Sequence, residues 1–389
     1  MDITIQPRPL SGEITVIPSK SQAHRLLICA AFADRPTQLR CTDTNRDIEA
    51  TADCLRALGA HITRTDCGYT VSPIDKVPET ARLNCCESGS TLRFMLPIVG
   101  ALGVDATILM EGRLPQRPLS PLWEEMQRMG CTLTRPTENT IFCTGKLLPG
   151  NYSIDGSVSS QFITGLLFAL PLIDGETSLK ITGKVESRPY IEMTKCALAL
   201  FDAPHFRSPG TVDVEGDWSN GAFFLAANAL DSSLTILGLN ENSVQGDRAI
   251  ADILPALKER CATISAADIP DLVPILSVVA AANHGAVFTD IRRLRLKESD
   301  RVATVLAMIR ALGGSAEADE QTLTIFGGRL TGGTVDSCND HRIAMSAAIA
   351  ATVCQQPVTI LGAEAVNKSY PRFWEEYRRL GGYYEQYLR

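Results

Sequence analysis

Lysine, arginine and hydroxyl side chains stand at the start of an otherwise apolar segment near the N-terminus. Lys20, Ser21 and Arg25 come directly before the apolar run 26–33. A run that is apolar on all sides predicts a helix buried on every face, and a core would reject such a charged first turn. Helix starts offer unpaired N–H groups and a positive dipole end to anions, and arginine can hold an oxyanion through two parallel hydrogen bonds. These residues indicate a phosphate or carboxylate site, although an ordinary helix cap would have the same start.

The same construction, a polar head followed by an apolar run, occurs six times at intervals of about 50 to 70 residues. After the first, the polar heads are residues 87–93, 157–161, 217–220, 268–271 and 339–342. This repetition predicts an internally repeated fold with six buried helices. The adjacent hydroxyls of Ser159 and Ser160 suit a phosphate at one of these helix starts.

The densest charged cluster is Lys-Glu-Ser-Asp-Arg at 297–301, which opens an amphipathic segment. Alone, such a cluster is most simply a solvated first helical turn with local ion pairs. The simplest interpretation of the polar head at 340–342 is a capped helix. A fully buried helix does not need three ionisable residues in its first turn, however, so these residues also indicate a site. Lys368 precedes another exposed helix and alone carries no signal.

Length and charge limit the classes of protein to consider. The 389 residues allow two domains, each with a sizeable core, and 21% charged with 45% hydrophobic residues is typical of globular proteins. A net charge of −7 argues against broad binding to nucleic acid or anionic membranes. No apolar run reaches membrane-spanning length unbroken, and the first residues lack the features of a signal peptide. We therefore expect a cytoplasmic protein.

Twelve cysteines and five histidines are scattered along the chain. No CxxC pair occurs, and Cys29, Cys196 and Cys354 lie within apolar helical runs, so we expect buried free thiols in a reducing compartment. The histidines form no HxxxH or HxH set, which argues against a zinc ion held by the protein. We expect neither a metal nor another cofactor.

Amphipathic helices alternate with the buried ones, and short strands lie between them. Val302, Val305 and Ile309 fall on one stripe of such a helix, and several of these helices stop at a glycine, as at Gly59 and Gly313. The repeated unit is therefore strand, polar head, buried helix, strand, exposed helix, strands. Six such βαβαββ units predict an inside-out α/β barrel fold, in which three helices lie inside and the sheets lie outside in each of two domains.

The predicted domain boundaries follow from the first strands. If these strands join the C-terminal half, residues 1–18 and 217–389 form one discontinuous domain of three units. Residues 19–216 then form an inserted domain of three units, and the chain crosses between the domains twice. A cleft between two sets of helix N-termini is where a polyanionic small molecule should bind.

Taken together, these residues make the chain resemble the 5-enolpyruvylshikimate-3-phosphate (EPSP) synthase family. The members of this family are enolpyruvyl transferases of the shikimate pathway. The resemblance extends over essentially the whole chain. Its motifs are Lys20-Ser21-x-x-x-Arg25, Ser88-Gly89-Ser90-Thr91, Gln116-Arg117-Pro118, Gly156-Ser157-Val158-Ser159-Ser160-Gln161, Ser187-Arg188-Pro189-Tyr190, Ile269-Pro270-Asp271, Lys297-Glu298-Ser299-Asp300-Arg301, Asn339-Asp340-His341-Arg342 and Lys368-Ser369-Tyr370-Pro371. It implies the inside-out fold that the repeats also predict.

The resemblance also implies which residues bind the two substrates. Shikimate 3-phosphate would be held by Lys20, Ser21, Arg25, Ser159, Ser160, Gln161, Ser187, Asp271 and Lys297. Phosphoenolpyruvate would be held by Lys20, Gly89, Arg117, Gln161, Arg301, Arg342 and Lys368. Supporting positions would be Ser90, Arg93 and His341.

The implied reaction is an addition followed by an elimination, in aromatic amino acid biosynthesis. The 5-hydroxyl of shikimate 3-phosphate attacks C2 of phosphoenolpyruvate while C3 is protonated, and loss of phosphate restores the double bond. Two acid/base groups are needed. Asp271 is the candidate for taking the hydroxyl proton, and Glu298, with Lys20, for moving the C3 proton. We expect a monomer that requires no metal and binds neither nucleic acid nor membrane.

Three positions depart from the family's pattern. Its asparagine before the glycine loop is Glu87 here, its threonine is Ser90, and Arg293 stands where an asparagine is expected. A carboxylate at Glu87 is unfavourable beside an anion pocket unless it pairs with Arg93 or Arg117 or points away. These changes bear on affinity and on the response to phosphonate inhibitors such as glyphosate, not on the reaction class.

Two other functions fit parts of the pattern. The sister enzyme that transfers enolpyruvyl to UDP-N-acetylglucosamine has Lys-Asn where this chain has Lys20-Ser21, and it carries a cysteine in the loop that is cysteine-free here, 111–116. A non-catalytic phosphometabolite-binding protein of the same fold would be expected to lose Asp271, Glu298 or an arginine, and all are present.

Overall fold

The computed structural model describes residues 1–387, which fold as two compact units with separate hydrophobic cores. The terminal unit combines Met1–Ile17 with the chain from Gly216 onward, and the central unit comprises Pro18–Glu215. The chain therefore leaves the terminal unit once and returns to it once.

The helices and strands follow in chain order. The terminal unit begins with β1 (Asp2–Gln6) and β2 (Ser11–Thr15). The central unit contains α1 (Lys20–Ala31), β3 (Thr37–Arg40), α2 (Arg46–Ala57), β4 (His61–Thr65), β5 (Gly68–Ser72), β6 (Thr80–Asn84), α3 (Gly89–Leu102), β7 (Asp105–Leu109), α4 (Leu122–Arg128), β8 (Cys131–Thr137), β9 (Thr140–Gly145), β10 (Gly150–Asp155), α5 (Ser160–Ala169), β11 (Thr177–Thr182), α6 (Arg188–Leu200) and β12 (Thr211–Asp213). The terminal unit resumes with α7 (Trp218–Ala229), β13 (Ser233–Leu237), α8 (Ile250–Glu259), β14 (Ala262–Ser265), α9 (Val273–Ala282), β15 (Gly285–Thr289), α10 (Arg301–Ala311), β16 (Ser315–Ala318), β17 (Leu323–Phe326), β18 (Gly333–Asp336), α11 (His341–Ala350), β19 (Val358–Leu361), α12 (Phe373–Arg379) and β20 (Tyr383–Tyr387).

A helix begins at each of the six polar heads, as the repeats predict. These helices are α1, α3 and α5 in the central unit and α7, α9 and α11 in the terminal unit, and beyond the first turn most of their residues are buried. In five of them the residue before the helix, a serine or aspartate, accepts a backbone N–H of the first turn through its side chain. The capping residue satisfies donors that the helix cannot.

The intervening helices bury only one face. In α10, Val302, Val305 and Ile309 are buried while Ala303 is exposed, which confirms the predicted stripe. Gly59 and Gly313 follow α2 and α10 with φ angles of +105° and +82°, the left-handed conformation expected just after a helix end.

The strands form six sheets in the described part of the chain, three in each unit. Four of the sheets share one pattern, a parallel pair extended by an antiparallel pair: β12-β3-β5-β4, β6-β7-β9-β8, β14-β15-β17-β16 and β18-β19-β1-β20. Buried and exposed side chains alternate along strands such as β3, as expected when a sheet covers a core with one face. The protein is thus a two-unit mixed α/β protein.

The remaining two sheets, β10-β11 and β2-β13, contain only the parallel pair. The prediction of six complete βαβαββ units is wrong at these two places. After α6 the segment 201–210 contains two prolines and forms no strand before β12, which joins the first sheet. After α8 only two residues precede β14, which belongs to the next sheet, so the chain has no length for a hairpin.

The cysteine prediction is confirmed for two of its three residues. Cys29 and Cys354 are buried free thiols, whereas Cys196 is exposed on α6 together with the free thiols Cys67, Cys261 and Cys338 elsewhere. Cys196 lies in an amphipathic helix and occupies its outer face, which a local apolar run did not reveal. Between residues 1 and 387, no helix combines the length and the apolar character that crossing a membrane would need.

Phe373 should be a major source of stability in the terminal unit. It is fully buried and contacts the rings of Phe224, Tyr370, Trp374 and Tyr377, with ring centroids 5.0 to 6.3 Å away. We expect Phe373→Ala to lower the free energy of unfolding by about 3–5 kcal/mol, because it leaves a cavity. Urea unfolding followed by far-ultraviolet circular dichroism measures this. Phe326→Ala, at a 44% exposed ring, is the control and should cost less than about 1 kcal/mol; equal losses would contradict the expectation.

Candidate active site

Lys20 is the first residue of α1, and its ammonium group forms a salt bridge with an aspartate on the next helix. Lys20 Nζ lies 2.9 Å from Asp47 Oδ2 in the first turn of α2. The Thr91 hydroxyl of α3 donates to the Asp47 carbonyl at 3.4 Å. The starts of three helices are therefore linked around this lysine.

Arg25 is buried one turn further along α1, and its guanidinium holds the helix to α6. Its Nε donates to Thr194 Oγ1 at 2.9 Å, its Nη2 to the Tyr190 carbonyl at 2.9 Å and its Nη1 to the Ser21 carbonyl at 2.6 Å. Burial lowers the pKa of Arg25 to about 10. Burial, with the charges of Lys20 and Arg25, also lowers the pKa of His24, so this helix start carries two positive charges and a neutral imidazole near pH 7.

Gly89, the first residue of α3, lies between two arginines. A Cβ atom at this position would lie 2.6 Å from Nη1 of Arg117 and 2.6 Å from Nη1 of Arg93. Two guanidinium groups so close to a helix N-terminus make this place a candidate site for an anion, and only glycine leaves room for them.

Arg93 ties this anion site to the start of α5. Its Nη1 donates to Gln161 Oε1 at 2.9 Å, and its Nη2 donates to the Pro118 carbonyl, next to Arg117, at 3.0 Å. Gln161 Nε2 in turn donates to Ser90 Oγ at 3.0 Å. The predicted residues of α3, α5 and the Arg117 loop thus form one connected network.

Ser159, Ser160 and Ser187 follow the two parallel strands β10 and β11. The loops after these strands are joined, because Glu186 N donates to the Gly156 carbonyl at 3.4 Å. Ser187 is buried and has a φ of +56°, a left-handed conformation that is costly for a residue other than glycine. Such backbone outliers concentrate at functional sites. The three hydroxyls lie at the starts of α5 and α6, where a phosphate would meet backbone N–H groups at the positive ends of the helix dipoles.

In the terminal unit, Arg301 at the start of α10 is the centre of a cluster of charges. Its Nε lies 3.0 Å from Asp340 Oδ2, its Nη2 lies 2.6 Å from Glu298 Oε2, and its Nη1 pairs with Asp271. Asp271 also lies 3.4 Å from Lys297 Nζ. The two candidate proton carriers therefore share one buried guanidinium.

Arg342 in the first turn of α11 pairs with the same aspartate, with its Nη2 3.4 Å from Asp271 Oδ2. Burial alone would raise the pKa of Asp271, but the charges of Arg342, Lys297 and Arg301 hold it well below its usual range. Burial lowers the pKa of Lys297 to about 8, against the opposing effect of Asp271. His341 is buried beside Arg342, and Lys368 donates to the Asn339 carbonyl at 3.0 Å.

Within each unit, the structure brings the predicted residues together. Those of the central unit are Lys20, Ser21, Arg25, Gly89, Ser90, Arg93, Arg117, Ser159, Ser160, Gln161 and Ser187, at helix starts or in the loops beside them. Those of the terminal unit are Asp271, Lys297, Glu298, Arg301, His341, Arg342 and Lys368, likewise at helix starts or in the segments that lead into them.

Sequence reasoning missed the acidic partners of these cations. Asp47 follows an arginine at the start of an exposed helix, and Asp340 lies in one of the polar heads. The sequence therefore marks both positions, but it does not show that they pair with Lys20 and Arg301. Asp247, in the turn before α8, is also buried, and burial together with the charge of Asp271 raises its pKa to about 7. Nothing local distinguishes this aspartate from an ordinary capping residue.

The two charged departures have different surroundings. The Glu87 carboxyl group packs against Gly112, where its Cδ would lie 2.6 Å from an added Cβ. Arg293 is nearly buried, and its charge contributes to lowering the pKa of Lys297. The first departure places a carboxyl group against the loop that leads to Arg117, and the second places a positive charge beside the terminal unit's cluster.

Comparisons with known proteins agree along nearly the whole chain. A family profile described as EPSP synthase (3-phosphoshikimate 1-carboxyvinyltransferase) matches residues 5–377. A 3-phosphoshikimate 1-carboxyvinyltransferase of Clostridium kluyveri is 36% identical, over 98% of this chain and 97% of the relative. One from Brachyspira hyodysenteriae is 34% identical, over 98% of this chain and 99% of the relative.

The fold has solved counterparts. A structure of EPSP synthase from Acinetobacter baumannii covers 99% of this chain and 100% of that one, with a TM-score of 0.80 at 23% identity. At 23% identity the structural similarity establishes the fold alone. The family is established by the profile and by the relatives of 34–36% identity. Because the profile covers nearly all of the chain and a named relative is 36% identical over 98% of it, this chain belongs to the EPSP synthase family of transferases.

Proposed function

We propose that this chain transfers the enolpyruvyl group of phosphoenolpyruvate to the 5-hydroxyl of shikimate 3-phosphate, giving 5-enolpyruvylshikimate 3-phosphate and phosphate. Family membership supports this role in aromatic amino acid biosynthesis. The observation that carries the proposal is that Asp271 and Glu298, two potential proton carriers, share the Arg301 guanidinium among further cations. The reaction needs both proton transfer and anion binding in one place.

The architecture that we propose is an inside-out α/β barrel in each unit, with the three buried helices inside and the sheets outside. The helix starts of the two units would face each other across a cleft and complete one site. Closure of such a cleft would exclude water from the reaction. The net charge of −7 supports a protein that acts on small molecules and not on nucleic acid or anionic membranes, and we propose that it is a cytoplasmic monomer.

Shikimate 3-phosphate would occupy the serine-lined helix starts. Its phosphate would lie among Ser159, Ser160 and Ser187, and its hydroxyls and carboxylate would contact Lys20, Ser21, Arg25, Gln161, Asp271 and Lys297. Neutral hydroxyl and backbone donors at the phosphate do not repel one another, so they can be held in place before the ligand arrives.

Phosphoenolpyruvate would be held by cations from both units. Arg117 and Lys20, beside Gly89 and Gln161, are candidates for its phosphate, and Arg301, Arg342 and Lys368 complete the set. Charge-assisted hydrogen bonds are each worth roughly 1.5–3 kcal/mol, so several of them hold an anion that the acidic protein as a whole would repel.

In the addition step, Asp271 would take the proton of the 5-hydroxyl as its oxygen bonds to C2. C3 would receive a proton either from the Lys20 ammonium or from Glu298 after that carboxylate has itself taken a proton from water. The product of this step is a tetrahedral adduct that still carries the phosphate. In the elimination step, C3 returns a proton to the group that protonated it and the double bond forms again. The C2–O bond to the phosphate breaks, and the phosphate leaves with the proton that Asp271 had taken up. The nearby arginines would stabilise the charge that moves onto the leaving phosphate.

The reaction is tested by phosphate release from phosphoenolpyruvate. Release that depends on shikimate 3-phosphate and is not supported by UDP-N-acetylglucosamine is the expected result. Release with UDP-N-acetylglucosamine alone would assign the sister activity, and no release with either acceptor would leave a binding protein of the same fold.

Replacing the proposed base should remove turnover. Asp271→Asn keeps the shape of the side chain but cannot accept the hydroxyl proton, so we expect kcat to fall by about 10²- to 10⁴-fold. Steady-state phosphate release measures this. Asp300→Asn is a matched control, because Asp300 caps α10 in the same segment and asparagine caps equally well. Comparable losses in the two variants would count against a catalytic role for Asp271.

The Gly89 position should control affinity for phosphoenolpyruvate. Gly89→Ala places a methyl group against Arg93 and Arg117, so at least one guanidinium must move. Loss of one charge-assisted contact of roughly 1.5–3 kcal/mol predicts a rise of about 10- to 100-fold in KM for phosphoenolpyruvate. Gly328→Ala, where an added Cβ meets nothing within 4 Å, should leave KM unchanged. An unchanged KM in Gly89→Ala would place the anion elsewhere.

The pH dependence should report Lys297. Its pKa of about 8 in the free protein means that the ammonium is charged below that pH and neutral above it. We therefore expect kcat/KM for shikimate 3-phosphate to fall as the pH rises through about 8. Arg293→Asn removes a charge that lowers this pKa and should move the alkaline limb to higher pH. Lys297→Arg stays charged, so a limb that persists unchanged in this variant would show that another group titrates.

A further inference from the structure

Three carboxylates surround one arginine in the terminal unit. Arg301 is 1% exposed, and Asp340, Glu298 and Asp271 take its Nε, Nη2 and Nη1 respectively. The Pro270 carbonyl also accepts from Nη1, at 3.5 Å. One positive charge thus faces three negative ones, and Lys297 and Arg342 supply two further positive charges beside Asp271.

The three carboxylates are not equivalent. Asp340 is completely buried, and each of its contacts belongs to the folded framework. Its Oδ1 accepts the backbone N–H of Arg342 at 2.9 Å as the cap of α11, and its Oδ2 accepts the Ser299 hydroxyl at 2.9 Å besides Arg301 Nε. The side chains of Asp271 and Glu298 are 16% and 29% exposed, so they reach solvent and can change partners without opening the core.

This arrangement divides the guanidinium into two parts. Asp340 occupies the Nε edge, and the fork of Nη1 and Nη2 is the part that can bind a carboxylate through two parallel hydrogen bonds. In this structure Asp271 and Glu298 already occupy the fork. A ligand carboxylate that joined them there would meet two like charges at contact distance, which is strongly unfavourable in a buried site.

We propose that Asp340 is a positioning residue that keeps Arg301 in place while the carboxylate of phosphoenolpyruvate displaces Asp271 and Glu298 from its fork. This inference rests on the proposed function and adds the sequence of contacts by which that site accepts its substrate. Displacement also prepares the chemistry. Once Asp271 loses Arg301 as a partner, its pKa rises, and a carboxylate that was too weak a base becomes able to take a proton.

The exchange predicts an unusual sign for the effect of two substitutions on binding. Asp271→Asn and Glu298→Gln each remove a charge that competes with the ligand for the Arg301 fork. We therefore expect each variant to bind phosphoenolpyruvate about 3- to 10-fold more tightly than the unsubstituted protein, although both lose turnover. Isothermal titration calorimetry measures this in the presence of 5-deoxyshikimate 3-phosphate, which lacks the attacking hydroxyl and prevents turnover.

The control is Asp300→Asn, which removes one negative charge from the same segment but not from the fork of Arg301. This variant should bind phosphoenolpyruvate with unchanged affinity. Unchanged affinity in both Asp271→Asn and Glu298→Gln would mean that these side chains do not compete with the ligand. Weaker binding would mean that they hold the ligand themselves. Either result overturns the exchange.

Asp340→Asn should act in the opposite direction. It keeps an oxygen for the N–H of Arg342 but removes the charge that holds the Nε edge of Arg301. We expect KM for phosphoenolpyruvate to rise by at least about tenfold, while KM for shikimate 3-phosphate changes less than about twofold. Equal rises in both KM values, or none, would overturn the positioning role, because a merely structural defect does not select one substrate.

Ser299→Ala serves as a second variant if Asp340→Asn does not fold. It leaves the charge of Asp340 intact but removes one of the hydrogen bonds that fix this carboxylate. We expect a smaller rise, confined to KM for phosphoenolpyruvate. A rise in KM for both substrates, or for neither, would overturn the positioning role. The proposed function fails separately. An unsubstituted protein that neither releases phosphate nor binds phosphoenolpyruvate would refute that function. If the unsubstituted protein is active but Asp271→Asn and Glu298→Gln do not bind phosphoenolpyruvate more tightly than it does, only the exchange is refuted.

Discussion

A helix that is buried on all sides can meet solvent only at its ends, and this constraint organises the whole protein. Between residues 1 and 387, six helices are of this kind, and their mostly buried apolar bodies leave little lateral surface for a polar site. Their first N–H groups have no partners within the helix, so each start needs a cap, water or a ligand. Polar and charged residues are therefore concentrated where the helices begin, and the residues assigned to substrate binding lie there too.

The second organising feature is how the buried charges are compensated. Removing a cation from water is costly unless partners replace the hydration shell, and this protein meets the cost in two ways. In the central unit, Arg25 donates to two backbone carbonyls and to the Thr194 hydroxyl, so neutral oxygen atoms replace its hydration shell. In the terminal unit, Arg301 is neutralised by carboxylates. Neutral oxygen atoms thus surround the buried guanidinium of Arg25, whereas carboxylates surround that of Arg301.

Much of the fold could be predicted because the relevant signals are local. The apolar runs, their polar heads and the glycines after helices lie within a few residues of the features they determine, and the helices begin where these signals place them. The two incomplete sheets and the exposed Cys196 were not predicted, because they depend on loop lengths and on which face of a helix meets the core. The composition of the site was also predictable, but the partners of its cations were not: Asp47 and Asp340 are distant in sequence from Lys20 and Arg301 respectively.

The sequence by itself determined the residue types at each helix start, the order of the repeats and the family to which the chain belongs, because short motifs and periodic apolar runs carry that information. Only the tertiary structure decided that Asp271 and Glu298 share one guanidinium, that Gly89 lies between two arginines and that Lys297 has a lowered pKa. These properties arise from the distances and burial that folding creates between residues far apart in the chain. Electrostatic energies depend on both quantities, and no local pattern of amino acids specifies either of them.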